Sequence, residues 1–377
     1  MLSFISWEVI TIAGIVVGAL GSFFLLQLFY LAAVFAWGDQ KTQGLNYYGL
    51  PLADREKFKR ALRRNSVLLF PILRFLSKTS NFKFQSASFT VKGVAGPKGT
   101  CSAASFEKAL AAAAQAGDVF VATQMKCGTT WMQHVIYEVL QRGDGKLVEN
   151  GEALYSQCPW IEASKSVPLD DAPRIGTEHP SRVIKTHLPT KICPYSEDAK
   201  YIYVVRHPVS CFASCVDFVA TNVGAFAPPL GVTEEWFCSD EMWWGPWTDH
   251  VDGWWKWSEQ RDNVLFVTFE DMKRDLRAVV LEVAAFLQMA PLSDEEVDRV
   301  VEKCGFKYMK EHSAAFEMHP PHILQTDAEL FISGKADRHK DVPDDVRARV
   351  LRWAREGLEG SEFPLDRFYP DVAGAND

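Results

Sequence analysis

The 377-residue chain lacks the features that most often assign a function. Its eight cysteines include no Cys-x-x-Cys pair and no zinc-finger spacing with histidine, so neither motif is indicated. Cys211 and Cys215 are expected to be buried thiols of a reducing compartment, with metal binding as the alternative. The net charge of −8 argues against a general nucleic-acid binder. With 47% hydrophobic and 23% charged residues, the chain is expected to have a packed core.

Charge is missing from residues 9 to 36, which read VITIAGIVVGALGSFFLLQLFYLAAVFA. About 20 apolar residues span a bilayer, and a cleaved signal peptide would have a basic start and a shorter apolar run. We therefore expect residues 1–40 to form one transmembrane anchor, with a buried core helix as the alternative. Basic residues follow the run and none precedes it, so the positive-inside rule predicts a single-pass membrane protein with a cytoplasmic catalytic domain.

Residues 41–80 are expected to form a basic and amphipathic juxtamembrane segment. Within it, residues 55–64 (REKFKRALRR) carry six Lys or Arg against one Glu. Residues 66–76 (SVLLFPILRFL) are apolar but too short to span a bilayer. Together the two stretches are typical of a segment that lies on an anionic membrane surface. For residues 66–76, a core helix of the soluble domain is the equal alternative.

Residues 81–377 are expected to form one globular domain. Near-continuous apolar runs predict strands buried on both faces, at residues 118–124, 182–187, 200–206 and 263–269. Helical patterns lie between the runs, including an alanine-rich helix over 106–117 and an amphipathic helix over 129–143. This alternation predicts an α/β fold with a central parallel β-sheet flanked by helices. The seven tryptophans of residues 236–257 are expected to pack in the core.

A Walker A motif is also absent, although residues 123–131 (TQMKCGTTW) lie between a predicted strand and a predicted helix. In Walker A the lysine follows the last glycine, whereas Lys126 comes two residues before Gly128. Backbone N–H groups at a helix start bind phosphate, and Thr129 and Thr130 add hydroxyl groups. The sequence therefore predicts a phosphate loop with a lysine at its lip, with simple helix capping as the alternative.

Polar residues also follow two other predicted strands. Lys185 and His187 end one of them, and Arg206 ends another, with Ser214 two turns into the next helix. Ligands of open parallel sheets bind beyond the carboxyl ends of the strands. We expect these side chains to meet the phosphate loop there. No aspartate suited to a Mg²⁺ ion accompanies them.

These motifs together resemble the cytosolic-type sulfotransferase family, across roughly residues 100 to 355. The segments that carry the resemblance are QMKCGTTW, RVIKTHLP, YVVRHPVSCFAS, GPWTDHVDGWWKW and VLFVTFEDM. The resemblance implies a P-loop-like fold and transfer of a sulfonate from 3′-phosphoadenosine 5′-phosphosulfate (PAPS) to a hydroxyl or amine. The products would include adenosine 3′,5′-bisphosphate, and no metal is required.

The resemblance also implies residue roles. His187 would be the general base, Lys126 would stabilise the leaving phosphate, and Lys185 would hold the sulfonate oxygens. Trp131 and Phe306 would sandwich adenine, and Arg206 with Ser214 would bind the 3′-phosphate. The full PAPS-binding set would be Lys126, Cys127, Gly128, Thr129, Thr130, Trp131, Arg206, Ser214, Phe306, Gly334, Lys335 and Arg338. The acceptor pocket would include Trp160, His187 and Phe218.

Three departures from the family pattern stand out. Ile332 and Ser333 replace a basic pair in the loop FISGKADRHK (331–340), so Lys335, Arg338 or Lys340 is expected to supply the charge. Phe269 replaces a tyrosine that usually precedes Glu-Asp-Met. The family's short dimer motif is missing, which leaves the oligomeric state open.

The predicted membrane span suggests an amphiphilic acceptor, such as a sterol or a lipid alcohol. Two other functions remain open. A P-loop kinase or NTPase would require Walker A and B chemistry. A non-catalytic, membrane-tethered nucleotide-binding protein is favoured by the altered loop at 332–340 and opposed by Lys126, Lys185 and His187.

Overall fold

The computed structural model describes residues 7–42, 47–66, 69–317, 324 and 338–375. Its six strands are β1 (Ser88–Val91), β2 (Val94–Pro97), β3 (Asp118–Ala122), β4 (Arg182–Thr186), β5 (Lys200–Val205) and β6 (Val264–Thr268). The N-terminal and central helices are α1 (Trp7–Thr42), α2 (Leu52–Ser66), α3 (Phe70–Leu76), α4 (Ala103–Leu110), α5 (Thr129–Leu140), α6 (Leu154–Gln157), α7 (Pro208–Val223), α8 (Leu230–Phe237) and α9 (Trp247–Gln260). They are followed by α10 (Phe269–Arg274), α11 (Leu276–Phe286), α12 (Asp294–Lys303), α13 (Phe306–Glu311), α14 (Asp344–Gly357), α15 (Leu365–Phe368) and α16 (Pro370–Ala373).

The core of the domain is a parallel sheet of four strands in the order β4-β3-β5-β6. All five residues of β3 and of β4 are buried, as expected of strands covered by helices on both faces. Phe120 of β3 pairs with Ile184 on one side and Tyr201 on the other. The predicted fold class, an α/β fold with a central parallel sheet, is confirmed.

Two of the helix predictions need correction. Helix α4 ends at Leu110 and not at Gly117, because the alanines beyond it offer no large side chain to bury. Instead, the Asp118 side chain accepts a hydrogen bond from the Gln115 N–H at 2.9 Å, which fixes the chain in a non-helical turn before β3. Helix α5 is buried on nearly all sides, not amphipathic, since it lies between the sheet and helices α11 and α12.

The tryptophan-rich segment packs in the core, as predicted. Trp236, Trp243, Trp244, Trp247 and Trp254 are buried. A β-hairpin that the sequence analysis did not predict helps to hold it, because the N–H of Trp244 donates to Ala95 of β2 at 2.7 Å. Strands β1 and β2 of this hairpin are joined by Lys92 and Gly93, both at positive φ, which is the backbone of a tight hairpin turn.

Helices α2 and α3 contribute a second, small apolar cluster that is separate from the main core. It consists of Leu62, Leu69, Ile72 and Leu73, with Tyr30 and Phe226 packed against it. For residues 66–76 the core-helix alternative thus holds for part of the stretch, while Phe75 is 57% exposed. The predicted division into residues 1–40, 41–80 and 81–377 stays a prediction.

The basic segment needs one correction, at Arg55. This side chain is only 1% exposed, and its guanidinium donates to the carbonyl oxygens of Tyr48 and Leu50. It therefore anchors α2 to the domain and cannot reach a membrane. Tyr47 and Tyr48 themselves lie in the main core.

Helix α1 is continuous over 36 residues and carries the uncharged run of residues 9–36. Its described apolar side chains are exposed, among them Ile15, Leu20 and Phe29. Within the described ranges, Pro208–Phe226 is long and apolar enough to cross a bilayer, but half of it is buried inside the domain. Residues Gly14–Gln27 form a shorter apolar helix.

Candidate active site

The predicted site residues meet at the carboxyl edge of the sheet. Ala122, the last residue of β3, is level with Thr186 of β4 and with Tyr203 of β5. The phosphate loop continues from β3, His187 follows β4, and Arg206 follows β5. The parallel register therefore brings three separate stretches of sequence to one place.

The phosphate loop ends where α5 begins, at Gly128. This glycine has φ 101°, a left-handed conformation that disfavours other residues. A Cβ atom there would lie 2.8 Å from Cδ2 of the Phe269 ring. Behind Gly128, the Thr129 hydroxyl lies 2.6 Å from the Thr123 hydroxyl. The first N–H groups of α5 are thus presented on a tightly folded loop, which is an arrangement that binds phosphate.

His187 is placed as a neutral base. Its Nδ1 lies 2.8 Å from the backbone oxygen of Thr123, and because a carbonyl oxygen only accepts, Nδ1 carries the proton. Nε2 is then left with its lone pair. Burial and the neighbouring Lys185 hold the pKa of His187 well below its usual value, so the ring is neutral at physiological pH.

Aromatic rings and a buried carboxylate surround this histidine. Trp160 meets it edge to face with ring centroids 5.2 Å apart, and Trp244 lies at 4.7 Å. The backbone N–H of His187 donates to Oε1 of Glu162 at 2.7 Å, and the Thr186 hydroxyl donates to Oε2 of the same carboxylate at 3.0 Å. Burial raises the pKa of Glu162. Neither Glu162 nor Trp244 was predicted as a site residue. From sequence alone, Glu162 is indistinguishable from a surface glutamate and Trp244 from a core tryptophan.

Lys185 is fully buried beside the histidine. Its Nζ lies 3.4 Å from the centroid of the Trp160 ring and donates to the hydroxyl of Tyr155 at 3.2 Å. Burial lowers the pKa of Lys185 to about 7, and the nearby carboxylate of Glu162 opposes this change. Trp160 is held under the lysine because backbone hydrogen bonds join residues 159–161 to Lys185. Tyr155 is a further site residue that the sequence analysis missed.

Lys126 of the loop lies beside Phe218 of α7, and the roles of both residues stay predictions. The Lys126 Nζ is 4.7 Å from the centroid of the Phe218 ring. Burial lowers the pKa of this lysine, and the positive charge of Arg206 adds to the effect. The lysine backbone has φ 64°, a left-handed conformation that is uncommon for residues other than glycine.

Arg206 carries a buried guanidinium that makes two hydrogen bonds through one of its nitrogen atoms. Its Nη1 donates to the hydroxyl of Ser214 at 2.9 Å and to the backbone oxygen of Lys126 at 3.0 Å. The ring of Phe269, which stands where the family has tyrosine, lies 4.3 Å from Cζ. Arg206 Nε is buried and has no hydrogen-bond partner among the described residues. Such a group fits an incoming anion.

Trp131 and Phe306 both lie beside Lys273 of α10. The Nζ of Lys273 lies 5.6 Å from the Trp131 ring and 5.8 Å from the Phe306 ring. Trp131 is fixed by a hydrogen bond of 2.8 Å from its Nε1 to the backbone oxygen of Cys304. The structure therefore brings both predicted adenine-binding rings to one place and adds Lys273 to them.

The C-terminal loop accounts for the remaining predicted residues. Gly334 and Lys335 lie outside the described residues, as do Ile332, Ser333 and the side chain of Arg338. The described backbone resumes in a 3₁₀ turn at Arg338–Asp341, where Lys340 is exposed. Their roles stay predictions.

The thiols of the site are buried, and none of them is joined in a disulfide. Cys211 and Cys215 of α7 are both free and buried. The Sγ atom of Cys127, in the phosphate loop, lies 3.7 Å from the Sγ atom of Cys211. Within the part of the chain that is described, no three His, Cys, Asp or Glu side chains are grouped as metal ligands. The prediction that Cys211 and Cys215 are buried is confirmed.

Known proteins share this sequence pattern and fold. The family described as "Sulfotransferase domain" matches residues 116–361. Sulfotransferase 1E1 of Mus musculus is 30% identical over 244 residues, which cover 63% of this chain and 81% of the relative. The 3-alpha-hydroxysteroid sulfotransferase of Cavia porcellus is 31% identical over 214 residues, which cover 56% and 72%.

Solved structures show the same fold at lower identity. Mouse sulfotransferase SULT7A1, complexed with PAP, has a TM-score of 0.61 at 22% identity and covers 77% of this chain and 100% of its own. Retinol dehydratase, in complex with androsterone and the inactive cofactor PAP, has a TM-score of 0.60 at 20% identity and covers 78% and 98%.

The Gly128→Ala substitution should weaken phosphate binding because the added methyl group would push against Phe269. We expect affinity for adenosine 3′,5′-bisphosphate, measured by calorimetry, to fall by about tenfold or more, which corresponds to one charge-assisted hydrogen bond. Gly99→Ala is the matched control, because Gly99 also has a positive φ of 91° but has no atom within 4 Å of an added Cβ. Equal affinities of the two variants would contradict this account of the loop.

Proposed function

The chain belongs to the sulfotransferase domain family and is a PAPS-dependent sulfotransferase, and from this premise we propose that it sulfonates a hydroxyl or amine of an amphiphilic, membrane-associated acceptor. The observation that carries the proposal is the state of His187. A buried and neutral imidazole, with Nδ1 protonated against Thr123, stands beside a phosphate loop and two lysines.

The reaction needs a base, and Nε2 of His187 has a lone pair that can accept the proton. As the acceptor oxygen attacks sulfur, Nε2 takes the hydroxyl proton, and the sulfur–oxygen bond to the departing phosphate breaks. Lys126 stabilises the negative charge that develops on the bridging oxygen. Lys185 holds the sulfonate oxygens as charge is redistributed over them.

PAPS fits the remaining residues. Thr129 and Thr130, with the first N–H groups of α5, would hold the 5′-phosphate. The 3′-phosphate would engage Arg206, whose buried Nε is unpartnered among the described residues, and the hydroxyl of Ser214. Trp131 and Phe306 would take the adenine between their rings. A P-loop kinase or NTPase is disfavoured because its lysine would follow Gly128.

His187→Ala should abolish transfer and leave nucleotide binding nearly unchanged, because the base contacts the acceptor. Loss of a general base costs on the order of 10²–10⁴-fold in rate, which a transfer assay with labelled PAPS would measure. His179→Ala is the control, since His179 is exposed and remote from the loop in sequence. If His187→Ala retained more than about a tenth of the activity, His187 would not be the base.

An amphiphilic acceptor is supported by the aromatic surroundings of His187. Trp160 and Trp244 pack against the imidazole, and Phe218 lies beside Lys126. Such walls favour an apolar molecule with one polar group. Relatives point the same way by their names, which include a 3-alpha-hydroxysteroid sulfotransferase and a retinol dehydratase bound to androsterone.

A single membrane span is supported by helix α1. Its 36 residues extend about 54 Å at 1.5 Å per residue, which exceeds a bilayer core of about 30 Å. Phe24 of α1 touches Phe75 of α3 with ring centroids 6.3 Å apart. Four basic side chains of α2 are exposed on the adjoining segment, and they are Lys57, Arg60, Arg63 and Arg64. We place the catalytic domain on the cytoplasmic face, where these charges would meet anionic lipid.

Deletion of residues 1–40 should leave part of the protein on anionic vesicles at low salt and release it at high salt, because each basic side chain contributes about 1 kcal/mol. Sedimentation with vesicles measures this. Replacing Arg60, Arg63 and Arg64 with Gln in the shortened chain should abolish the binding, whereas replacing the exposed Lys108, Arg174 and Arg274 should not.

The same shortened chain should keep its turnover of a water-soluble alcohol, whereas its turnover of a vesicle-borne alcohol should fall. Protection of the catalytic domain of the full chain from protease in sealed vesicles, prepared with their cytoplasmic face outward, would contradict the topology.

A further inference from the structure

Tyr155 joins the phosphate loop to Lys185. Its hydroxyl lies 2.9 Å from the hydroxyl of Thr130, in the first turn of α5, and 3.2 Å from Nζ of Lys185 at the end of β4. All three residues are buried, with Tyr155 and Lys185 inaccessible to solvent. One hydroxyl group thus bridges a proposed phosphate ligand and a proposed catalytic lysine that come from different elements.

The direction of these hydrogen bonds follows from the groups involved. An ammonium group only donates, so protonated Lys185 donates to the Tyr155 oxygen. Burial raises the pKa of Tyr155, so its own proton stays in place and must go to the Thr130 oxygen. The hydroxyl proton of Thr130 is then left to donate to an anion on the loop.

In such a series of hydrogen bonds, a change in the strength of one bond changes the strength of the others. An anion that accepts from Thr130 makes the Thr130 oxygen a better acceptor for Tyr155, and the Tyr155 oxygen in turn a better acceptor for Lys185. We propose that Tyr155 is a positioning residue that links an anion bound at the phosphate loop to the ammonium group of Lys185. This inference rests on the proposed function, in which Lys185 holds the sulfonate oxygens.

The surroundings of Lys185 make it sensitive to this link. Burial, with a smaller contribution from the positive charge of Lys126, lowers its pKa to about 7, and the nearby carboxylate of Glu162 opposes the change. His187 faces it as a neutral ring. Near neutral pH the lysine is therefore poised between its two forms. Anion binding raises its pKa, so a proton is taken up from the buffer, and this uptake is largest just above pH 7.

The test compares Tyr155→Phe with Tyr48→Phe. The rings of these two buried tyrosines pack at 5.6 Å, so each variant removes one buried hydroxyl from the same aromatic pair. Binding of adenosine 3′,5′-bisphosphate is measured by calorimetry at about pH 8 in two buffers of different ionisation enthalpy. Phosphate groups, with a second pKa near 6, are already fully ionised there, so the protons taken up belong to the protein.

We expect the wild type and Tyr48→Phe to take up protons on binding, and Tyr155→Phe to take up about half as many or fewer, because Lys185 then lacks its hydrogen-bonded link to the anion. In the transfer assay, kcat of Tyr155→Phe should fall about tenfold, and its alkaline limb should move to lower pH. KM for PAPS should change less than about threefold, because the loop N–H groups remain.

The outcomes separate the two levels of the argument. A wild-type chain that does not bind the bisphosphate contradicts the proposed function. A wild-type chain that binds it without proton uptake overturns the role of Tyr155, even if Tyr155→Phe does not fold. Equal uptake by Tyr155→Phe and the wild type, or a lower kcat with an unchanged pH profile, reduces Tyr155 to a packing residue.

Discussion

The site depends on Thr123, the first residue after β3. Its backbone oxygen holds Nδ1 of His187 at 2.8 Å, and its hydroxyl lies 2.6 Å from that of Thr129 at the start of α5. One residue therefore fixes the tautomer of the base and the position of the phosphate loop together. This is possible because β3 and β4 are parallel neighbours in register, so that Ala122 and Thr186 end level with each other. A sheet with another strand order would separate the loop from the histidine.

Concentrated positive charge is the second constraint on this edge of the sheet. The chain is acidic, at −8, yet Lys126, Lys185 and Arg206 lie close together and largely out of water. Burying cations costs free energy, and here burial lowers the pKa of both lysines. Aromatic faces offset part of the cost, because each cation lies over a ring of Phe218, Trp160 or Phe269. A bound dianion would be attracted by all three positive charges.

The sequence predicted the parts of this structure that depend on local pattern. Buried strands such as β3 and β5 are continuous apolar runs, and each was predicted within two residues of its observed ends. Lys126, Gly128, His187 and Arg206 belong to motifs that follow strands, so their convergence could be anticipated from the rule for parallel sheets.

Residues that reach the site through long-range packing could not be predicted in this way. Tyr155 belongs to the four-residue helix α6, and Glu162 follows in the irregular stretch after it. Both reach the site because backbone hydrogen bonds pair residues 159–161 with Lys185 of β4. Arg55 looked like one charge in a basic run, and only the fold reveals that it binds the carbonyl oxygens of Tyr48 and Leu50. The end of α4 was missed because alanine has high helix propensity, while the side chain of Asp118 decided the turn.

The state of the imidazole is the central claim, and ¹⁵N nuclear magnetic resonance of the histidine-labelled full chain tests it most directly. The signals of His187 would be identified by their loss in His187→Gln. The account predicts a neutral ring with the proton on Nδ1 between about pH 6 and pH 8, with Nε2 showing the shift of an unprotonated nitrogen. A ring protonated on Nε2, or one that becomes a cation within that range, would contradict the assignment of His187 as the base.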